Sequence, residues 1–479
     1  MGKWENKNWI NNMKVQIDLN NIMLEKVGES FGLTPDQFAK INDITPAIHE
    51  ELTHGRQSGE LGFYLLPYDV DTPLQVKKIA RDIRGNFKNL VVLGIGGSAL
   101  GTMAIQQALV PPFNQFNEKY SSTPAPKVFV VDNVDPDHFY SLLQLINVSE
   151  TCFIVISKSG TTAETMSQFM VVHELIKKLC GEASLSSHII AITDSERGYL
   201  REISFRENYR VLPVPGNVGG RFSVLTAVGL LPSAVMGIDI DELVAGAKYM
   251  EKRCNCPYLY ENPAYYLGAA YFLADTNKGQ HIHVFMPYSN SLYGIADWLR
   301  QLIAESLGKR YNLDGNEVFI GPTPIKALGA TDQHSQLQLY MEGPRNKIIT
   351  FFRVNKFKNR VNIPSAFPNL SGVNYLGGKT LSELINAEQE ATAIALTEHG
   401  RSNITVFVPE INPFTIGQIF FLFEVMTVFM GKLYNINPLD QPGVETSKQN
   451  TYAIMGRPGF EERAKQIHKE SWRNPDLVI

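Results

Sequence analysis

Ser157-Lys158-Ser159-Gly160-Thr161-Thr162-Ala163-Glu164-Thr165 places five hydroxyl side chains within nine residues, around one glycine. The stretch follows Cys152-Phe153-Ile154-Val155-Ile156, an apolar, β-branched run that predicts a buried strand. It precedes Met166-Ser167-Gln168-Phe169-Met170-Val171-Val172, which predicts a helix. The hydroxyls therefore sit in a strand-to-helix turn at the carboxyl edge of a sheet, where open α/β sheets bind ligands. Unpaired N–H groups at the helix start add donors and a favourable dipole for an anion. Such a cup suits a phosphate monoester. An ordinary Ser/Thr helix cap is the competing reading, but a cap needs only one or two hydroxyls.

Further out, the same pattern repeats. Leu90–Leu93 reads as a strand, Gly94-Ile95-Gly96-Gly97-Ser98-Ala99-Leu100-Gly101 as a glycine-rich turn, and Thr102–Ala108 as a helix. Lys127–Val131, Thr151–Ile156 and Ser187–Thr193 are further predicted strands, each next to helical sequence. Strand–helix alternation of this length predicts a doubly wound parallel sheet. Gly94-x-Gly96-x-x-Ala99 also matches the loose dinucleotide fingerprint, with Asp132 ending the following strand. The same glycines would equally let the backbone approach any small ligand, and the hydroxyl cup favours a phosphate.

Asn217-Val218-Gly219-Gly220-Arg221-Phe222-Ser223 is a second glycine-rich turn, before the apolar run Val224–Met236. It carries a guanidinium on what reads as a flexible loop at a helix start. A composition break at Gly237–Pro257 marks the expected connection between domains. A second alternating set begins near Asn262, with a strand at His281–Met286 and a helix over Tyr293–Arg310. On that helix Glu305 projects about 20° from Trp298 and about 40° from Gln301. It lies at the margin of the apolar stripe, where partial desolvation favours a raised pKa and proton transfer. The competing reading is a solvated glutamate paired with Lys309 at i+4. Thr331 or Asp332 is expected to cap the next helix, with His334 in its first turn, where the dipole disfavours imidazolium. Strands at Ile348–Val354 and Ile404–Val408 and the helix Pro413–Tyr434 follow.

Bulk properties exclude several classes. The chain has 479 residues, enough for two or more cores, and 44% hydrophobic residues, as expected of a globular protein. Lys and Arg total 44 against 48 Asp and Glu, a net charge of −4. That gives neither a nucleic-acid footprint nor a polybasic membrane patch. Met1-Gly2-Lys3-Trp4-Glu5-Asn6 has no apolar signal core and no myristoylation pattern. The apolar run Ile416–Tyr434 carries Gln418, Glu424 and Lys432, so a core helix is expected, not a membrane span. Four cysteines are too few for a disulfide framework, and a reducing, cytoplasmic setting is expected. Cys254-x-Cys256 and His281-x-His283 lack further ligands nearby and read as structural. Residues 1–70 read as helical and loop-rich, with Thr34 capping a helix that Pro35 begins, and Tyr64–Asp71 as a connector.

Taken together, the motifs resemble the glucose-6-phosphate isomerase family, over about residues 70 to 455. They are Gly94-Ile-Gly-Gly-Ser98, Ser157–Thr165, Gly219-Gly-Arg-Phe-Ser223, Gln301–Lys309, Asp332-Gln-His334 and Gln441-Pro-Gly-Val-Glu-Thr-Ser-Lys448. The resemblance implies two sugar-isomerase (SIS) domains, each an α/β/α sandwich with a doubly wound, mainly parallel sheet. The implied division is an N-terminal helical segment (1–70), a phosphate-binding domain (71–240), a second domain with the catalytic Glu and His (258–440) and a C-terminal segment with a catalytic Lys (441–479). It further implies interconversion of glucose 6-phosphate and fructose 6-phosphate, without cofactor or metal. Ser157, Ser159, Thr162 and Thr165 would bind the phosphate, and Gly97 and Ser98 would line the sugar site. Gln301 and Gln441 would contact the sugar. Glu305 would move the proton between C2 and C1, and Arg221 would steady the enediolate. Lys448 and His334 would assist ring opening, His334 reaching in from the partner of a homodimer. Ala99 stands where longer members have Asp, Ser159-Gly160 where many have Thr-Phe, and Thr446-Ser447 where they have Leu-Gly. A non-catalytic sugar-phosphate sensor would share the cup but would not need Glu305, Lys448 and His334. A nucleotide-dependent oxidoreductase would rest on Gly94-x-Gly96 alone.

Overall fold

The computed structural model describes Trp4 and residues 6–113, 125–469 and 474–479. Most of the N-terminal hexapeptide discussed above lies outside the described residues. The strands among them, in chain order, are β1 (Gln16–Asp18), β2 (Asn89–Leu93), β3 (Lys127–Val131), β4 (Thr151–Ile156), β5 (Ile189–Asp194) and β6 (Arg210–Val214). They continue with β7 (Ile282–Pro287), β8 (Lys309–Tyr311), β9 (Glu317–Ile320), β10 (Thr323–Lys326), β11 (Lys347–Lys356) and β12 (Asn403–Glu410). The first sheet runs β3-β2-β4-β5-β6, with every neighbouring pair parallel. Its central strand β4 is buried at every position, which is why its sequence is continuously apolar instead of alternating. The second sheet runs β1-β12-β11-β7-β10, parallel except for β1 at the edge. The α/β class with two mainly parallel sheets is the expected one.

The N-terminal segment is more than helical. Thr34 caps the helix Pro35–Ser58 as expected, with Gln37 completing a capping box, but β1 joins the second sheet. Gln418 fixes that approach: its amide oxygen accepts from Val15 N at 3.1 Å and its nitrogen donates to Met13 O at 2.8 Å. The expected inter-domain connection is likewise no loose linker. It folds as the helix Ile240–Cys254, which packs along the helix Pro413–Leu433. Two glycines set this crossing, because a Cβ on Gly246 would lie 2.0 Å from Phe414 O and one on Gly417 would lie 2.0 Å from Leu243 O.

Pro413–Leu433 is long and apolar enough to cross a membrane, yet it is buried from Phe414 to Gly431. Burial holds the Glu424 carboxyl well above the usual carboxylate range, and Lys432 reaches out to Glu51 at 2.9 Å. One hydrophobic cluster runs through this helix into both halves of the chain. The helix Tyr293–Leu307 stands at the seam. It belongs to the second half but packs on Leu100–Leu109, the helix after the first glycine turn. A Cβ on its Gly294 would sit 2.9 Å from Ala104 Cα, and Gln107 donates to Asn290 O at 2.8 Å beside it. This helix ends at Leu307, so Lys309 and Arg310 open the β8–β9 hairpin instead of extending it. Ser187 similarly precedes β5, which begins only at Ile189.

The backbone crossing should be the most intolerant point of the core. Gly246→Ala is expected to destabilise the protein by about 1–3 kcal/mol or more, the cost of overpacking. Gly85→Ala, on an exposed helical site where an added Cβ meets nothing within 4 Å, should be neutral or stabilising. Thermal unfolding of the two variants side by side checks this.

Candidate active site

The cup forms at the end of β4. Ser157 Oγ lies 3.1 Å from Thr162 Oγ1 and accepts from Gly160 N at 3.0 Å. Ser159 Oγ lies 2.7 Å from Thr161 Oγ1 and accepts from Thr161 N at 3.2 Å. Thr162 is the N-cap residue of the helix Ala163–Cys180, but its side chain caps no backbone N–H. Thr165 is 1% exposed, and its hydroxyl has no partner among the described residues. The hydroxyls are thus spent on one another and on the turn, or left unpaired, and not on ending the helix. Hydroxyls grouped in this way beside a helix N-terminus are what an anion cup would require. Gly160 makes it possible, with φ +65 and a position where a Cβ would lie 2.2 Å from Leu200 N.

β2 is the direct parallel neighbour of β4, so the glycine turn Gly94–Ala99 opens beside the cup. Its residues serve this chain's own packing. Gly96 has φ +59, and a Cβ there would stand 2.8 Å from Gln301 Nε2. A Cβ on Gly97 would fall 2.2 Å from the carbonyl carbon of Gly220. Ser223 Oγ donates to the carbonyl of Gly220 at 2.6 Å, tying the second glycine turn together. Close approach of two loops accounts for these glycines without a dinucleotide. Ser98 sits in the same turn, half-buried, and Ala99 is fully buried behind it.

Arg221 corrects the expectation of a flexible loop. It lies in the tight turn Gly220–Phe222 and is 3% exposed. Its Nε donates to Ser306 Oγ at 2.7 Å, and Nη2 donates to Pro438 O at 2.7 Å and Asp440 O at 3.0 Å. Nη1 donates to Gln441 Oε1 at 2.8 Å and to Glu305 Oε2 at 3.3 Å. Burial pushes its pKa down from the ordinary value, and the Glu305 carboxylate opposes that. Phe222 stacks on Phe63 at 5.0 Å, so the short helical turn Gly62–Tyr68 backs it.

Glu305 receives a second hydrogen bond, from Gln301 Nε2 to Oε1 at 3.1 Å, and its side chain stays 34% exposed. The competing pairing with Lys309 does not form through the carboxylate. Lys309 Nζ donates instead to the backbone carbonyls of Glu305 at 2.8 Å and Asp440 at 2.7 Å. Gly97, Gln301, Glu305, Arg221 and Gln441 are thereby brought to one place. Ser306 and the 438–440 carbonyls escaped the sequence reading, and Lys309 entered it only as a partner for the carboxylate. Ser306 and Lys309 lie within the Gln301–Lys309 motif, and that adjacency was the available signal.

The remaining candidates stand apart. Lys448 lies on the exposed helix Glu445–Ile454, its ammonium 2.8 Å from Glu445. Tyr452, one turn later on the same side, donates to Thr161 O at 3.4 Å, so this helix borders the cup. His334 is exposed in the short turn Thr331–His334, and its ring makes no hydrogen bond among the described residues. Neither Thr331 nor Asp332 caps the following helix as expected. That helix begins only at Leu337, and Asp332 instead accepts from Leu328 N and Ser335 Oγ. His283 is buried against Tyr271, and burial lowers its pKa to about 4, while His281 pairs with Asp275. Cys254 is buried, and Cys256 lies 3.6 Å from Glu261.

The family model for phosphoglucose isomerase matches residues 80–471. A curated relative, glucose-6-phosphate isomerase of Carboxydothermus hydrogenoformans, is 46% identical over 98% of this chain and all of its own length. The crystal structure of a hypothetical protein from Thermus thermophilus superposes with a TM-score of 0.80 at 33% identity, over 92% of this chain and 100% of that one. A glucose-6-phosphate isomerase from Chlamydia trachomatis, 22% identical, superposes with a TM-score of 0.70 over 83% of this chain and 76% of its own, a likeness of fold.

The cup is open to a direct test. Gly160→Ala should weaken binding of inorganic phosphate roughly tenfold or more, the worth of one hydrogen bond to a charged group. Titration calorimetry on protein with unchanged far-UV circular dichroism reads it. Unchanged affinity would mean that this turn holds no anion.

Proposed function

The chain belongs to the phosphoglucose isomerase family, and on that premise we propose how its residues divide the work. The protein is an aldose–ketose isomerase that interconverts glucose 6-phosphate and fructose 6-phosphate through a cis-enediol. In our reading, Ser157, Ser159, Thr162 and Thr165 hold the phosphate, and Gly97 and Ser98 line the sugar. Gln301 and Gln441 contact it. Glu305 removes the C2 proton and returns it to C1, while Arg221 faces the oxygen charge that develops between them. Lys448 and His334 open the ring. The halves 71–240 and 258–440 act as one SIS domain each, with 1–70 and 441–479 as flanking segments. The enzyme works in the cytoplasm as a homodimer. Four free cysteines, two of them buried, agree with a reducing compartment.

The observation that carries this reading is the Glu305 carboxylate. It is gripped on one oxygen by Gln301 and on the other by Arg221, yet a third of the side chain is open. A base aligned in this way can serve two adjacent carbons from one face. A sensor that only bound sugar phosphates would not need it. Support for the dimer comes from His334, which stands exposed and unbonded within its own chain among the described residues.

Glu305→Gln is nearly isosteric but accepts no proton. It should keep sugar-phosphate binding and lose at least ~10²-fold in kcat, the low end of general-base contributions. In deuterated water it should also lose label wash-in at C1 or C2. Near wild-type turnover would return Glu305 to the role of a surface residue. Thr162→Val should raise KM more than it lowers kcat, since the phosphate hardly changes during the reaction. The dimer reading is checked by mixing subunits. Glu305→Gln and His334→Ala protomers, refolded together in equal amounts, should recover about a quarter of wild-type activity, the share of intact shared sites in a two-fold dimer. No recovery would place His334 and Glu305 of the same chain in one site.

A further inference from the structure

We propose that Lys158 is a positioning residue that couples the phosphate cup to the turn carrying Arg221. The inference rests on the cup reading above. Lys158 sits between Ser157 and Ser159, inside the hydroxyl stretch, where a lysine would be expected to meet the anion. Its ammonium goes elsewhere: Nζ donates to Gly216 O at 2.7 Å and to Val218 O at 3.1 Å. Burial lowers its pKa, with Asp194 opposing.

The loop it grips runs directly into Gly219-Gly220-Arg221. Other contacts seat parts of that loop. Asn217 Nδ2 donates to Gly59 O at 2.7 Å, and a Cβ on Gly62 would lie 2.5 Å from the Asn217 amide carbon. Val218 and Phe222 are each 1% exposed. Gly97 presses on the Gly220 carbonyl. The strut therefore joins two rigid bodies: the cup at the end of β4, and the turn whose guanidinium faces Glu305. Displacing one end displaces the other, and a base misaligned by even about 1 Å can cost 10²-fold in rate. The fold itself should survive loss of the strut, because Gly216 is exposed and its carbonyl can turn to water.

The test uses the full-length enzyme. Lys158→Met should lower kcat by about tenfold to a hundredfold, while KM and the Kd of inorganic phosphate change by no more than about twofold. Lys158→Arg, which keeps a cation and donors, should restore most of the rate. In a double-mutant cycle with Arg221→Lys, the second substitution should cost far less in kcat than it does alone. If Lys158→Met folds poorly, Lys158→Gln takes its place in the same cycle. Phosphate affinity falling with kcat unchanged would make Lys158 an ordinary cup ligand and overturn the proposal. Losses that add in the cycle, or that track only the folded fraction, would overturn it as well. Failure of the cup reading looks different: inorganic phosphate would not compete with sugar phosphate in the wild type, whatever Lys158 does.

Discussion

A guanidinium 3% exposed is the constraint on which the site depends. A buried charge costs several kcal/mol unless its surroundings are built for it. Here the surroundings come from two distant pieces of chain: Glu305 and Ser306, and the 438–441 loop with the carbonyls of Pro438 and Asp440 and the side chain of Gln441. Satisfying Arg221 therefore fixes where the helix Tyr293–Leu307 and the 438–441 loop must be. Lys309 strengthens the same knot, since the Asp440 carbonyl accepts from both cations. The hydrogen bonds that offset the desolvation of one residue also align the carboxylate beside it.

The glycines of the site follow from the same demand. Arg221 reaches its partners only if its turn lies against the turn after β2. That contact leaves no room for a side chain on Gly97, nor for one on Gly96 opposite Gln301. A glycine signature that resembles a nucleotide fingerprint is here a record of loop-on-loop packing. The helix bearing Glu305 is similarly pressed onto Leu100–Leu109 through Gly294, so the seam between the halves is backbone-close. Such a seam gives the base and the cup a fixed relation although they belong to different sheets.

Much of this was legible in the sequence because it rested on local pattern. β3 and β4 match the predicted spans residue for residue, and Thr34 caps the helix that Pro35 begins, as read from the sequence. What stayed hidden had weak or contrary local signals. β6 contains Pro213, which demotes a strand on sequence grounds and is tolerated because β6 is an edge. β1 and β8 have three residues each, too few for periodicity to register. Ile240–Cys254 carries mixed charge because only part of its surface meets Pro413–Leu433. Arg221 read as a loop cation because its partners lie 84 to 220 positions away. Long-range satisfaction of one charge leaves no trace in a local window. His334 and Lys448 show the converse: the motif is local and clear, while in a single chain the side chains stand apart from the rest of the site.

On the proposed reading, the arrangement also explains why the cup is made of neutral hydroxyls while the site keeps its deep cation for the other end. A phosphate remains charged throughout the reaction, so donors that merely solvate it suffice and leave the field near C1 and C2 undisturbed. On the proposed chemistry, Glu305 takes up a proton as negative charge appears on the sugar oxygens. The charge thus leaves a carboxylate that accepts from Arg221 at 3.3 Å and arrives on atoms that face the same guanidinium. Arg221 itself need not move, because besides Glu305 and Gln441 it is held by Ser306 and by backbone carbonyls that take no part in the reaction. Stabilisation that exists before the charge shifts costs no reorganisation when it does. A guanidinium on a mobile loop would have had to be reoriented at each turnover. Burying it transfers that cost to folding, where it is met once.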